Sequence, residues 1–224
     1  MSITNQYDKI MQRIQQCVAK LQPESHVEIL AVTKGHPLQA VQTLYACGQR
    51  AFGESYLQEA TDKIKAMPKD CIWHFIGRIQ SNKIAMIAEK FSWIDSVCDL
   101  KTAQRLNEAC KSLGKKINIC LQVNISNSPN KAGGALESLE PLINQIIPLE
   151  HISLRGLMAI PDKTETFDAQ CEPYARLKKA YDHLNQQSYG LDTLSMGMSN
   201  DYEAAICMGA TQVRLGQAIL GARH

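Results

Sequence analysis

Val27-Glu28-Ile29-Leu30-Ala31-Val32-Thr33-Lys34, then Gly35-His36-Pro37, then a helical stretch over residues 38–47, is the passage that decides how this chain folds. An apolar run closed by turn residues reads as a buried strand, and the stretch after it carries helical spacing, so the passage is one strand–loop–helix unit. Lys34 ends the strand. Most lysines in such a place keep the ammonium in water. One that is desolvated, or set near other cations, loses its proton more readily and becomes an amine nucleophile able to condense with an aldehyde.

The same unit recurs along the chain. Strands are predicted over residues 27–34, 51–55, 72–77, 93–97, 117–125, 154–160, 191–198 and 212–216. Helices are predicted between them over 38–47, 56–66, 81–89, 101–113, 134–146, 166–187 and 201–208. Ahead of the first strand, Ile3, Tyr7, Ile10, Met11, Ile14, Cys17, Val18 and Leu21 recur at three-four spacing, an amphipathic helix that Pro23 should close. Alternating strands and helices imply right-handed βαβ crossovers and a parallel sheet. Eight such units predict an α/β fold of the (β/α)8 TIM-barrel type with an extra N-terminal helix. An open doubly wound sheet is the alternative, disfavoured by the regular repeats and the lack of G-x-G-x-x-G. No Pro/Gly/Ser-rich linker splits the chain. A single domain over residues 1–224 is expected, with the helix in 1–22 and the barrel in 27–224, and residues 126–134 form a long loop after the fifth strand.

Composition narrows the function. The 224 residues are 45% hydrophobic and 21% charged, ordinary for a globular protein. A net charge of +2 gives no basic surface for nucleic acid or anionic membranes. No apolar run approaches a membrane span, and the N-terminus has no basic segment leading into an apolar one. The eight cysteines form no C-x-x-C pair and read as reduced core residues, pointing to the cytoplasm. The six histidines are scattered, so no metal is expected.

In a TIM barrel the chemistry gathers at the C-terminal ends of the strands. Those ends are Lys34, Gly53-Glu54-Ser55, Phe75-Ile76-Gly77, Asn124, Met158, Ser195-Met196-Gly197-Met198-Ser199 and Arg214-Leu215-Gly216. Loops after the last two strands often cradle phosphate. Here Ser199 or Asn200 can cap the following helix, whose free N–H groups attract anions, and Gly216 allows close backbone approach. An ordinary capped helix with turn residues accounts for the same pattern. If Val213 and Leu215 face the helical layer, Arg214 points into the mouth, where a buried guanidinium must meet an anion or an acceptor, phosphate and a pyridine nitrogen both qualifying. His74 reads as a core or supporting residue and Tyr56 as a helix residue. Lys131 reads as a solvated loop residue, and Asp62-Lys63, Lys115-Lys116 and Lys178-Lys179 as solvated faces.

Several stretches together carry a family pattern. They are Ala31-Val32-Thr33-Lys34, Phe52-Gly53-Glu54-Ser55-Tyr56-Leu57-Gln58-Glu59 and His74-Phe75-Ile76-Gly77-Arg78-Ile79-Gln80-Ser81-Asn82-Lys83, then Gly156-Leu157-Met158-Ala159-Ile160-Pro161, Leu194-Ser195-Met196-Gly197-Met198-Ser199-Asn200-Asp201, Val213-Arg214-Leu215-Gly216 and Ile219-Leu220-Gly221-Ala222-Arg223. Covering most of the length, they resemble the pyridoxal 5′-phosphate (PLP) homeostasis proteins of the YggS/PROSC type, whose fold-type III PLP barrel is like the N-terminal domain of alanine racemase. The resemblance implies a PLP-binding protein that buffers or delivers the cofactor inside the cell, holding it as a Schiff base on Lys34 without committed turnover. It implies that Ser199, Gly216 and nearby backbone bind the phosphate, and that Arg214 lies near the ring nitrogen or the phosphate. An arginine at the ring nitrogen would weaken the ring as an electron sink. The candidate cofactor-binding residues are Lys34, Ser55, Met158, Ser195, Met196, Ser199, Arg214, Gly216 and Gln217, with no catalytic or metal-ligating residue assigned. Departures from the family pattern are Ser55 (usually Asn), His36 (often Lys), Arg78-Ile79 (often Pro-Leu) and Gln217 (often Thr).

Two other functions compete: a fold-type III amino-acid racemase, and a barrel that binds a phosphorylated metabolite without a Schiff base. A racemase needs a second base on the opposite substrate face, which alanine racemase takes from a partner subunit helped by an added β-domain. This chain has no room for such a domain. A monomer is expected, with PLP-dependent apo-enzymes as candidate recipients.

Overall fold

The alternating pattern closes on itself. A computed structural model describes residues 2–21 and 26–222. In chain order the elements are α1 (Ile3–Val18), β1 (Glu28–Val32), α2 (Leu38–Ala46), β2 (Ala51–Glu54), α3 (Leu57–Ala66), β3 (Ile72–Phe75), α4 (Ile84–Lys90), β4 (Trp93–Val97), α5 (Leu100–Ser112), β5 (Ile117–Val123), α6 (Leu139–Ile146), β6 (Ile152–Ala159), α7 (Phe167–Gln186), β7 (Thr193–Ser195), α8 (Tyr202–Cys207), β8 (Gln212–Leu215) and α9 (Gln217–Leu220). The eight strands form a closed barrel in sequence order, and β8 pairs in parallel with β1. This is the (β/α)8 barrel with an added N-terminal helix.

Strand alternation sorts the side chains into two compartments. Ala31, Phe52, Phe75, Ile94, Ile119, Leu157, Leu194, Val213 and Leu215 join the core between strands and helices. Leu30, Cys120 and Met158 are as deeply buried but stand outside that cluster, so they fill the barrel interior. Burying each such aliphatic side chain contributes about 1.5–3 kcal/mol. Helix α1 starts at Ser2, whose Oγ accepts from the Asn5 N–H at 3.3 Å, and it buries Tyr7, Ile14 and Cys17. Arg13 ties it to Glu203 of α8 at 2.7 Å. The expected stop at Pro23 lies outside the described residues.

The differences from expectation have local causes. Strand β7 is shorter than residues 191–198. The Leu191 carbonyl is taken by the Tyr181 hydroxyl at 2.7 Å, and the chain turns at Gly197, where φ is +91°. A Cβ at Gly197 would lie 2.5 Å from that of Ala205, so glycine is required there. Strand β6 starts earlier than expected, at Ile152, because it pairs with Ile117 across the floor of the barrel. The helix expected over 81–89 begins as a 3-10 turn, Ser81–Lys83, and that expected over 134–146 begins as a 3-10 turn at Leu136–Ser138. Gly134 instead bridges Val123. Helix α9, Gln217–Leu220, has no counterpart among the predicted elements because four residues show no periodicity.

At the N-terminal mouth, His74 is buried with Nδ1 3.1 Å from Asp95 Oδ1, and its ring stacks on Trp93. Arg155 lies over the same Trp93 ring, 4.9 Å from its centroid, and pairs with Asp192. His74 is thus a supporting core residue, as its sequence setting suggests. All eight cysteines are free thiols; Cys17, Cys71, Cys110 and Cys120 are buried, but Cys207 is exposed rather than in the core. No helix among the described residues is long and apolar enough to cross a membrane.

Candidate functional site

Parallel register places the first two site residues. Val32 of β1 pairs with Gly53 of β2, so residues two further on, Lys34 and Ser55, emerge side by side at the C-terminal mouth. Lys34 Nζ donates to Ser55 Oγ at 3.1 Å. The chain turns directly after Lys34, with the His36 N–H bonded to the Thr33 carbonyl at 3.1 Å and Gly35 at φ +74°. Lys34 is half-buried and sits on this turn, which points it across the mouth.

Strand β8 supplies the neighbouring wall. Val213 and Leu215 face the helices, and Arg214 points into the barrel, as the alternation predicts. Arg214 is 4% exposed. Its Nη1 donates to Ser195 Oγ at 2.9 Å and its Nη2 to the Ala159 carbonyl at 2.8 Å. The Ser195 hydroxyl in turn donates to Gln212 Oε1 at 2.9 Å. These partners are neutral, and among the described residues Arg214 makes no ion pair. Burial pushes its guanidinium below its ordinary value, yet an arginine there stays protonated. A buried cation without a carboxylate suits an anionic ligand or a strong acceptor.

The last two loops meet beside this wall. Ser199 Oγ accepts from the Ala218 N–H at 3.0 Å, joining the loop after β7 to the start of α9. The expected cap of α8 by Ser199 or Asn200 does not form. The N-cap is Asp201, whose Oδ1 accepts instead from the Met198 N–H at 2.6 Å, because the turn at Gly197 carries Ser199 away toward β8. Gly216 packs against β1 so closely that a Cβ would stand 3.1 Å from the Val32 carbonyl oxygen. Met158 is buried on the interior face of β6, beside Ser195 in register. Met196 lies in the core between sheet and helices, so its side chain faces away from the mouth. Gln217 is exposed at the first position of α9, and its side chain makes no hydrogen bond among the described residues. The fold thus gathers Lys34, Ser55, Met158, Ser195, Ser199, Arg214 and Gly216 at one end of the barrel, sets Gln217 next in the chain after Gly216, and packs Met196 into the core between sheet and helices.

Beside Lys34 a cavity of about 850 Å³ runs between α3 and α4, lined by Ser55, Tyr56, Arg78, Lys83 and Met86. Tyr56, read as a helix residue, is the 59% exposed N-cap just ahead of α3.

Three charged residues read as solvated have partners in the fold, and one of them is buried. Lys63 is 4% exposed, and its ammonium donates to the Thr33 carbonyl and Glu54 Oε1 at 2.7 Å each and to Glu59 Oε1 at 2.6 Å. Lys115 donates to the carbonyls of Ala88 at 2.6 Å and Phe91 at 3.0 Å, and burial lowers its pKa. Lys131 pairs with Asp162 at 2.6 Å. The signal available for Lys63 was its i,i+4 spacing from Glu59 inside the quoted family stretch.

Comparison with known proteins matches this architecture. The family model for the alanine racemase N-terminal domain spans residues 6–224. The pyridoxal phosphate homeostasis protein of Pseudomonas aeruginosa is 50% identical over 200 residues, covering 88% of this chain and 85% of that protein. The pyridoxal phosphate homeostasis protein of Pasteurella multocida is 41% identical over 229 residues, covering 100% of this chain and 98% of the other. The structure of PipY from Synechococcus elongatus with PLP bound is 34% identical, has a TM-score of 0.86, and covers 98% of this chain and 100% of that one. With its barrel, its strand-end lysine and these relatives taken together, the chain belongs to the alanine racemase N-terminal domain family and, within it, to the pyridoxal phosphate homeostasis proteins.

Proposed function

We propose that this chain binds pyridoxal 5′-phosphate in intracellular PLP homeostasis, buffering or delivering the cofactor, with Lys34 as the residue that links it through a Schiff base. One observation carries the proposal: the Lys34 amine is held at the C-terminal mouth, 3.1 Å from the Ser55 hydroxyl, at the same end as a buried guanidinium that makes no ion pair among the described residues. When bound, PLP supplies an aldehyde that condenses with an amine and a ring that withdraws electrons. The residues fit such a ligand. Lys34 is the amine, and Ser55 orients it. Ser199 and the Gly216 backbone stand where two loops converge and suit the phosphate. Arg214, fixed by Ser195 and the Ala159 carbonyl, offers its positive charge from the barrel interior and opposes protonation of a ring nitrogen placed near it.

On this proposal residues 1–224 act as one PLP-binding barrel unit and as a monomer in the cytoplasm, with PLP-dependent apo-enzymes as recipients and no committed turnover. The names of the curated relatives, which describe homeostasis rather than catalysis, support that role. The test is to incubate the purified protein with PLP, reduce with borohydride, digest, and locate the modified peptide by mass spectrometry. The expected result is a PLP-derived mass on Lys34. A protein that takes up no PLP overturns the proposal.

Ser199→Ala should loosen the non-covalent hold on the phosphate. A hydrogen bond to a charged group is worth about 1.5–3 kcal/mol, so retention in equilibrium dialysis should weaken by about tenfold or more. Unchanged retention would remove Ser199 from the phosphate site.

A further inference from the structure

Helix α3 carries a lysine at a place where a helix charge ordinarily faces water, yet Lys63 is buried beneath the turn that presents Lys34. Its three ammonium protons are all committed, to the Thr33 carbonyl, Glu54 Oε1 and Glu59 Oε1. Glu54 is fully buried at the end of β2 and also accepts from the Thr33 hydroxyl at 2.6 Å. Glu59, one helical turn before Lys63, accepts the Gly35 N–H at 2.7 Å through the same oxygen that Lys63 holds. The bonds therefore land on the backbone on both sides of Lys34: the carbonyl of residue 33 and the amide of residue 35.

We propose that Lys63 is a positioning residue for Lys34, a buried ammonium that, with Glu59 and Glu54, clamps Thr33 and Gly35 and so fixes the direction in which the Lys34 amine leaves the barrel wall. The clamp explains why a buried ion pair is placed here. Such a pair contributes little net stability compared with apolar packing, but it specifies one geometry. A strand end followed by a glycine at φ +74° has many conformations open to it. Lys63 and Glu59 leave one. With its protons committed, Lys63 does not compete with Lys34 for an aldehyde, although it is a second lysine beneath the same turn.

The proposal rests on Lys34 as the cofactor-linking residue, and its test separates the two. In the cofactor-free protein, amide hydrogen exchange at Gly35 is followed by NMR. In the PLP-loaded protein, the rate of borohydride trapping at Lys34 is followed by mass spectrometry. Lys63→Met is expected to speed Gly35 exchange and to slow trapping, each on the order of tenfold, because a displacement near 1 Å at a reacting group can cost up to about 100-fold. Asn107→Leu, which removes the buried acceptor of the His151 N–H away from the mouth, serves as the destabilised control and should change neither. Should Lys63→Met fail to fold, Glu59→Ala removes the Gly35 acceptor while leaving the Lys63–Glu54 pair in place, and the same two shifts are expected. Exchange and trapping that match the Asn107→Leu control overturn the clamp. If the parent protein traps no PLP at all, the proposed function fails, and Gly35 exchange still decides the clamp.

Discussion

Lys34→Ala is expected to abolish the borohydride-stable adduct completely while the protein stays folded. The half-buried side chain gives up a hydrogen bond to Ser55 at the rim of the barrel, a loss of about 1 kcal/mol or less in stability. What disappears is the amine. Lys63 cannot take over, because its three protons are held by Thr33, Glu54 and Glu59. Lys65, Lys83 and Lys90 line the cavity beside Lys34, so the experiment must locate the modified peptide and not only weigh the protein. PLP held without the covalent link should remain detectable through the contacts of Ser199, Gly216 and Arg214, and should leave on dialysis. A variant that keeps the adduct at another lysine with unchanged yield would contradict the role of Lys34.

The largest stability effect is expected at Lys63→Met. Removing one partner of a buried ion pair strands the other, which typically costs about 3–5 kcal/mol. The stranded group is Glu54, fully buried, with one oxygen already lacking a hydrogen-bond partner. In the parent protein burial pushes the Glu54 carboxyl above its ordinary value, while the hydrogen bonds from Lys63 and Thr33 pull it down. Without Lys63 the upward shift grows. An acid whose folded value is raised keeps its proton in the fold after the unfolded chain has lost it. Stability therefore falls as pH rises through the ordinary carboxylate range, and the cost is complete above the raised value. The deficit of Lys63→Met relative to the parent should accordingly be larger at about pH 8 than at about pH 5 in urea denaturation. Equal deficits at both would mean that a stranded Glu54 charge is not the source.

Much of the architecture was legible because it is local. Strands of three to eight residues followed by helical spacing can be read from the side chains themselves, and all eight strands occur where the apolar runs lie. Closure followed from their number and regularity. The boundaries were less legible. Residues 196–198 look like a continuation of β7, but the turn at Gly197 and the close approach of Ala205 end the strand. The site divides in the same way. Lys34 stands out in the sequence at the end of a continuous apolar run, and the inward direction of Arg214 follows from the alternation of Val213 and Leu215 around it. Ser195 was named for the cofactor and lies at the mouth, but its hydroxyl is spent between Arg214 and Gln212, a pairing across separations of 19 and 17 residues.

By itself, the sequence determined the order of elements, the barrel class and the lysine that follows its first strand, since these depend on periodicity and on residues adjacent in the chain. Only the tertiary structure decided which charges are buried. Lys63 stands in an Asp-Lys pair that reads as a solvated face, and it is buried because closing the barrel lays α3 over the ends of β1 and β2, where Thr33 and Glu54 await its ammonium. Whether a helical charge meets water or a carboxylate depends on what the fold sets against it. Those partners lie 30 and 9 residues away in the chain, beyond the reach of any local pattern.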